Sequence, residues 1–205
     1  MSRIYNLVGS ICGIPAPIIF LICYLISWSQ SPWYVFGGRY LSDLGVGEGA
    51  IAFNTGLIVA GLLALPFAFS LWRLLGTTIS SSLGAIVLAA SGIALMSVGI
   101  FTEDFGNLHF IVSVLFFSLT LLTVLLLIWP LIRSPRFKYV GFFSFILTLT
   151  TLAVVAPIGF NPLSETIAVM MILVWMLVVA ARSTIISIKE DSPDSITAIG
   201  SEQKV

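Results

Sequence analysis

Charge is what this chain has least of. Only 9% of its 205 residues are charged, nine basic and nine acidic, against a hydrophobic share of 59%. A soluble domain carries about 25% charged residues. The shortfall is too large for a water-facing surface, and a mean hydropathy of +1.12 fits a chain whose outside faces lipid. The formal net charge is zero, so the basic patch that nucleic-acid binding requires is missing. Histidine occurs once, at His109, and cysteine twice, at Cys12 and Cys23. Both cysteines fall in one apolar run. On a single helix their separation of eleven positions corresponds to roughly 16 Å, too far for a disulfide. One histidine and two dispersed cysteines do not make a tetrahedral zinc set either. No G-x-S-x-G motif is present and no cysteine lies near the predicted outer loops, so no activated nucleophile is visible. No charge falls near the middle of any apolar run, as coupled transport would usually need. Nothing in the sequence calls for a cofactor.

What is present is six apolar runs, at about residues 5–28, 50–72, 80–101, 107–132, 139–156 and 166–187. Each approaches or exceeds the roughly 20 residues that cross a hydrocarbon core. The first is longer than the apolar core of a signal peptide, so it is read as a span, kinked or locally opened at Pro15 and Pro17. In the second run Ala52, Gly56, Ala60 and Ala64 form a small-residue face. In the third, Ala85, Ala89, Gly92 and Gly99 form another, which predicts a tight antiparallel pair. The predicted class is all-α, a polytopic integral membrane bundle of six transmembrane helices. Residues 188–205 read as a polar, disordered tail, with Ser192-Pro193 a weak phosphorylation motif.

Lys and Arg choose the orientation. Arg3, Arg73, Arg133, Arg136, Lys138, Arg182, Lys189 and Lys204 fall on one side and Arg39 alone on the other. Both termini are therefore expected in the cytoplasm, N-in and C-in. Trp28 and Trp33 mark the outer interface, Trp72 and Trp129 the inner one; Trp175 marks neither.

The outer side then collects two polar knots. One is the segment from Arg39 to Asn54, with Ser42, Asp43 and Glu48. The other runs from Thr102 through Glu103, Asp104 and Asn107 to His109. Asn161 and Glu165 fall in a later outer loop. Polar side chains in the first turn of a membrane helix usually face the bundle and often mark function, so Arg39, Ser42, Asp43, Asn54, Glu103, Asp104 and His109 are the candidate ligand-binding set. A carboxylate beside His109 would orient its ring, and Asp43 is expected within side-chain reach of it. Each residue also has a structural reading. Ser42 or Asp43 serves as a cap or turn residue, with Gly45 supplying a positive φ. Asp104 or Asn107 caps the fourth helix. Asn54 and His109 bond neighbouring helices. The Ser144, Thr148 and Thr151 stripe bonds back to its own helix. Leu163-Ser164-Glu165 echoes Leu41-Ser42-Asp43 without fitting a duplication.

The motif Tyr40-Leu41-Ser42-Asp43-Leu44-Gly45, followed by Gly99-Ile100-Phe101-Thr102-Glu103-Asp104 and then His109, resembles the prokaryotic six-helix membrane family called domain of unknown function 998. It is similar, more distantly, to the eukaryotic Frag/DRAM/Sfk group. The resemblance implies the six-helix fold and a prokaryotic cell membrane. Through the eukaryotic group it implies a lipid head group as the class of ligand.

Two functional classes follow. The first is a non-enzymatic membrane protein that binds a lipid head group or a protein partner in an outer polar cavity. The second is a lipid-modifying membrane enzyme with His109 as general base and Asp43 as its orienter. A small transporter is a third possibility. Membrane lipids are the expected partners. No metal site is assigned, although Asp43, Glu103 and Asp104 offer the oxygen ligands that a divalent cation prefers. On either main reading, Asp43→Asn and His109→Ala are expected to leave folding intact.

Overall fold

In hydrocarbon the backbone has no water to bond to, so a spanning segment must satisfy its own N–H and C=O groups, and a helix does this internally. The computed structural model describes residues 2–191. Its helices are α1 Ser2–Cys12, α2 Pro15–Ser29, α3 Ala50–Leu75, α4 Ile79–Ile100, α5 Asn107–Arg133, α6 Lys138–Ile158 and α7 Pro162–Asp191. Two short 3-10 turns, Leu41–Gly45 and Glu103–Phe105, are the other regular elements, and no strand occurs among the described residues. α1 and α2 together make the first span, giving six segments long and apolar enough to cross a membrane. The fold is an all-helical, multi-pass membrane bundle.

The first span opens at Gly13 and Ile14. Pro15 has no N–H to continue α1, but it starts α2, where a missing donor costs nothing. The break also lets the backbone come close to its neighbours. A Cβ on Gly13 would meet the Phe67 ring at 2.6 Å and the Ala180 methyl at 2.7 Å. Pro66, Pro130 and Pro157 lie inside α3, α5 and α6 without ending them.

α3 and α4 pack as a close antiparallel pair. A Cβ on Gly92 would stand 2.8 Å from the Gly61 carbonyl oxygen, and one on Gly99 2.8 Å from that of Asn54. The close approach on α3 is thus at Gly61 rather than Gly56. Gly56 faces α2, where its Cβ would meet that of Cys23 at 2.7 Å.

The opposite end from the 3-10 turns is fastened by hydroxyls and arginines. Ser10 on α1 bonds both Ser70 on α3, at 2.6 Å, and Ser187 on α7, at 3.1 Å. Arg136 donates to the Leu74 carbonyl at 2.9 Å and pairs with Glu190, while Arg182 donates to the Arg136 carbonyl at 2.7 Å.

α6 is fully buried at that end alone. Its buried residues, Val140, Gly141 and Ser144, all fall in its first two turns. Trp175 on α7 donates its indole N–H to Ser144 at 3.0 Å, which accounts for a tryptophan in mid-span. Ser144, Thr148 and Thr151 each donate to the carbonyl four residues back at 2.8 Å.

Two boundaries differ from the sequence expectation. Asn161 accepts from the backbone N–H groups of Leu163 and Ser164 at 2.9 and 3.0 Å, and Pro162 opens the helix. α7 therefore begins four residues before the apolar run does, and Glu165 lies in its first turn rather than in a loop. At the other end α7 continues to Asp191, so residues 188–191 belong to the helix. The remainder of the expected tail, with Ser192-Pro193, lies outside the described residues.

Candidate functional site

The Leu41–Gly45 turn is the structural centre of the acidic end. Leu41 and Leu44, 1% and 0% exposed, plug the bundle beneath it. Four hydrogen bonds tie it to four other elements. Ser27 on α2 donates to the Leu44 carbonyl at 3.4 Å, and Asn54 on α3 donates to the Gly45 carbonyl at 2.9 Å. The Ser42 hydroxyl donates to Glu103 at 3.0 Å. The Leu41 backbone N–H donates to Glu165 on α7 at 2.7 Å. A Cβ on Gly45 would meet the Asn54 side-chain oxygen at 2.9 Å and push that side chain aside, whereas the positive φ of this segment falls at Gly47.

The turn gathers carboxyls. Burial first, and then Asp43 by hydrogen bonding and by charge, push the Glu103 carboxyl up to about 7. The Ser42 hydroxyl lowers it and the Asp104 charge raises it a little more. Glu165 stands on the far side of the turn. Among the described residues no Lys or Arg forms an ion pair with these acids; Arg136 with Glu190, at the opposite end, is the one pair found. Nor do any three His, Cys, Asp or Glu side chains among the described residues come together closely enough to hold a metal ion.

Of the seven candidate residues, Ser42, Asp43 and Glu103 converge here. Asn54 supports the turn from below. Arg39 is exposed, its guanidinium 6.0 Å from the Trp33 ring centre, and Asp104 is exposed in the loop. His109 is 9% exposed. Its Nδ1 bonds the Phe101 carbonyl at 2.6 Å and its Nε2 the Ser113 hydroxyl at 3.3 Å. No hydrogen bond joins it to Asp43 among the described residues. α5 starts after Gly106, at φ +54°, with no side-chain cap, so neither Asp104 nor Asn107 caps it.

Two cavities meet at Glu165. The first, of 240 Å³, lies among α5, α6 and α7. Phe117, Thr120 and Val124 of α5, Thr148 and Thr151 of α6, and Ala168 of α7 are among its walls, with Glu165 at one end. Beyond its first two turns α6 has no fully buried residue, only the half-buried Leu147, Thr148, Thr151 and Val155 on the side that faces the cavity, so this cavity is a cleft open along the flank of the bundle. The second, of 110 Å³, is central, closed above by Leu41, Ser42 and Glu165. Thr120, Ile172 and Trp175 border both. Ser91 and Thr120 bond each other at 2.7 Å across the central one.

Sequence reasoning left Glu165 out of the candidate set because it was placed in a loop. Asn161 followed by Pro162 is the usual signature of a helix start and would have put Glu165 in the first turn of α7. The cleft itself has no sequence signal, since its walls are ordinary apolar residues and hydroxyls.

No curated protein matches the chain, and no solved structure does. The family model described as protein of unknown function (DUF998) matches residues 14–182, which takes in most of the bundle, the Leu41–Gly45 turn, His109 and Glu165. The chain belongs to this family of unknown function.

Proposed function

We propose that this protein binds a membrane lipid, non-enzymatically, with an acyl chain in the cleft among α5, α6 and α7 and the head group at the Glu165 end. The cleft carries this reading. Its walls are mainly apolar, its flank opens where lipid would be, the hydroxyls of Thr120, Thr148 and Thr151 along it are bonded to Ser91 or to carbonyls of α6, and its one carboxyl stands at one end, which is the division an amphipathic ligand has. The excess of Lys and Arg at the other end supports both termini in the cytoplasm and the acidic end outside. The head group would then lie in the outer leaflet.

Filling the cleft tests the reading. Ala168→Phe, or Thr151→Phe on the loosely packed α6, puts a ring where the acyl chain would lie. Native mass spectrometry of the gently purified protein should show a retained lipid on the wild type and its loss from either variant, with melting temperature little changed. Equal retention by wild type and both variants would overturn the cleft as the site.

A further inference from the structure

We propose a second lipid site, separate from the cleft: the groove between α3 and α4, at the end away from the 3-10 turns, takes an acyl chain of an anionic phospholipid whose phosphate lies on Arg73. The groove has a volume of 380 Å³. Its floor is Ala68 and Ala85, both buried, and its sides are Phe69 on α3 and Ile86 on α4, both exposed. Two alanines cover the backbone there without filling the space between the larger side chains. From Leu65 to Trp72 the groove follows seven positions of α3, roughly 10 Å of helix. Its two polar side chains bond each other, the Trp72 indole N–H donating to Ser82 at 3.1 Å, and the rest of its lining is hydrocarbon.

A cation stands at the mouth. Arg73 follows Trp72 on α3, is exposed, and lies over the Phe69 ring with its guanidinium carbon 5.8 Å from the ring centre. A guanidinium stacked on a ring keeps the in-plane N–H fork that matches a phosphate. Residues 50–100, which hold α3, α4 and the loop between them, contain no acid and no other base. Among the described residues Arg73 forms no ion pair; the one found joins Arg136 and Glu190. Tryptophan and arginine side by side mark head-group level in a membrane. The groove therefore runs from head-group level into the hydrocarbon, with the positive charge where a lipid carries its phosphate. The same charge argues against a second copy as the occupant. A two-fold contact sets a patch against itself, and here it would bring two Arg73 side chains together with no acid on either α3/α4 pair to meet them.

The test is photolabelling read residue by residue, so that lipid in the cleft does not count toward it. Full-length protein is reconstituted into phosphatidylcholine vesicles that carry a trace of phosphatidylglycerol or of phosphatidylethanolamine, each with the same diazirine-bearing acyl chain. After illumination the labelled residues are located by peptide mass spectrometry, with Ile146, exposed on α6, as the reference for lipid that is merely nearby. Relative to Ile146, the groove residues Leu65, Phe69 and Ile86 should take about fivefold more label from the anionic lipid, the worth of one cation beside anionic lipid. Arg73→Gln should bring the ratio toward one, and Arg73→Lys, which keeps the charge, should retain most of it. Arg73 is exposed, so both variants should melt as the wild type does. Equal groove labelling by the two lipids in the wild type overturns the anion. A preference that survives Arg73→Gln overturns the assignment to Arg73. Groove labelling no stronger than that of Ile146 for either lipid overturns the site, and a dimer in native mass spectrometry would then name a second copy as what covers it.

Discussion

The carboxylate of Glu165, in the first turn of α7, accepts the backbone N–H of Leu41 at 2.7 Å across 124 positions of sequence. Leu41 opens the turn that plugs the bundle, so one acid fixes the last helix to the first outer loop while it also forms the end wall of the cleft. A structural role and a binding role thus fall on one side chain, and substitutions can separate them. Glu165→Ala leaves a partly buried N–H without its acceptor, at a cost of about 1–3 kcal/mol. Glu165→Gln keeps an acceptor oxygen. Thermal unfolding in detergent should show Ala melting several degrees below wild type, at about 2–4 °C per kcal/mol for a chain of this size, and Gln close to it. Equal losses in both would mean that the charge, not the hydrogen bond, holds the turn.

Glu103 makes stability depend on pH. Its carboxyl is pushed from an ordinary 4.5 up to about 7, so between those values the folded protein holds a proton that the unfolded chain has released. Stability is then full below about 4.5, falls as pH rises through the window, and levels off above 7. The groups that shape this titration are Asp43 and Ser42 on the facing turn and Asp104 beside it. A melting-temperature series from pH 4 to 8 should decline through the window in wild type and decline less steeply in Glu103→Gln. A wild-type profile that rises with pH in this range would contradict the assignment.

The α3/α4 pair sets a steric limit. Gly92 stands opposite Gly61, and any Cβ there must displace a backbone carbonyl rather than a flexible side chain. Gly92→Ala is expected to cost about 1–3 kcal/mol through overpacking, and Gly92→Leu to abolish a monodisperse species on size exclusion. Ile86→Ala, on the 64% exposed face of the same helix, should be nearly neutral. A neutral Gly92→Leu would show that the pair is looser than its backbone distance implies.

The helical architecture was legible because a scarcity of charge and runs of apolar residues leave a membrane chain few alternatives. The tight α3/α4 pair was legible for the same kind of reason, since small residues at helical spacing have one strong use in lipid. The turn motif was visible as an oddity, but what Ser42 and Asp43 face was not. Their partners, Glu103 and Glu165, come from sequence positions tens to more than a hundred residues away, and no periodicity connects them. Asn54 and His109 read as polar residues near helix starts, and that description does not distinguish a ligand contact from a bond to Gly45 or Phe101. The cleft was illegible in principle. It arises because α6 is fully buried only at its beginning, a property of where Val140, Gly141 and Ser144 find partners rather than of the composition of α6.

His109 is where the structure changes an expectation. A carbonyl can only accept, so Nδ1 carries the hydrogen that reaches Phe101, and Nε2 is left to Ser113. The ring thereby closes the loop between the end of α4 and the first turn of α5, in a buried position where an unpaired carbonyl is expensive. His109→Ala should therefore lower the melting temperature, contrary to the sequence-based expectation that folding survives it. Asparagine sets the two roles apart, because its amide nitrogen can occupy the place of Nδ1 and donate to the same carbonyl. If the histidine is a fastener, His109→Asn restores most of the stability lost in His109→Ala and leaves lipid retention as in wild type. If it acts on a ligand, His109→Asn stays folded and loses the lipid, and the ring nitrogen then has a task that its two hydrogen bonds do not reveal.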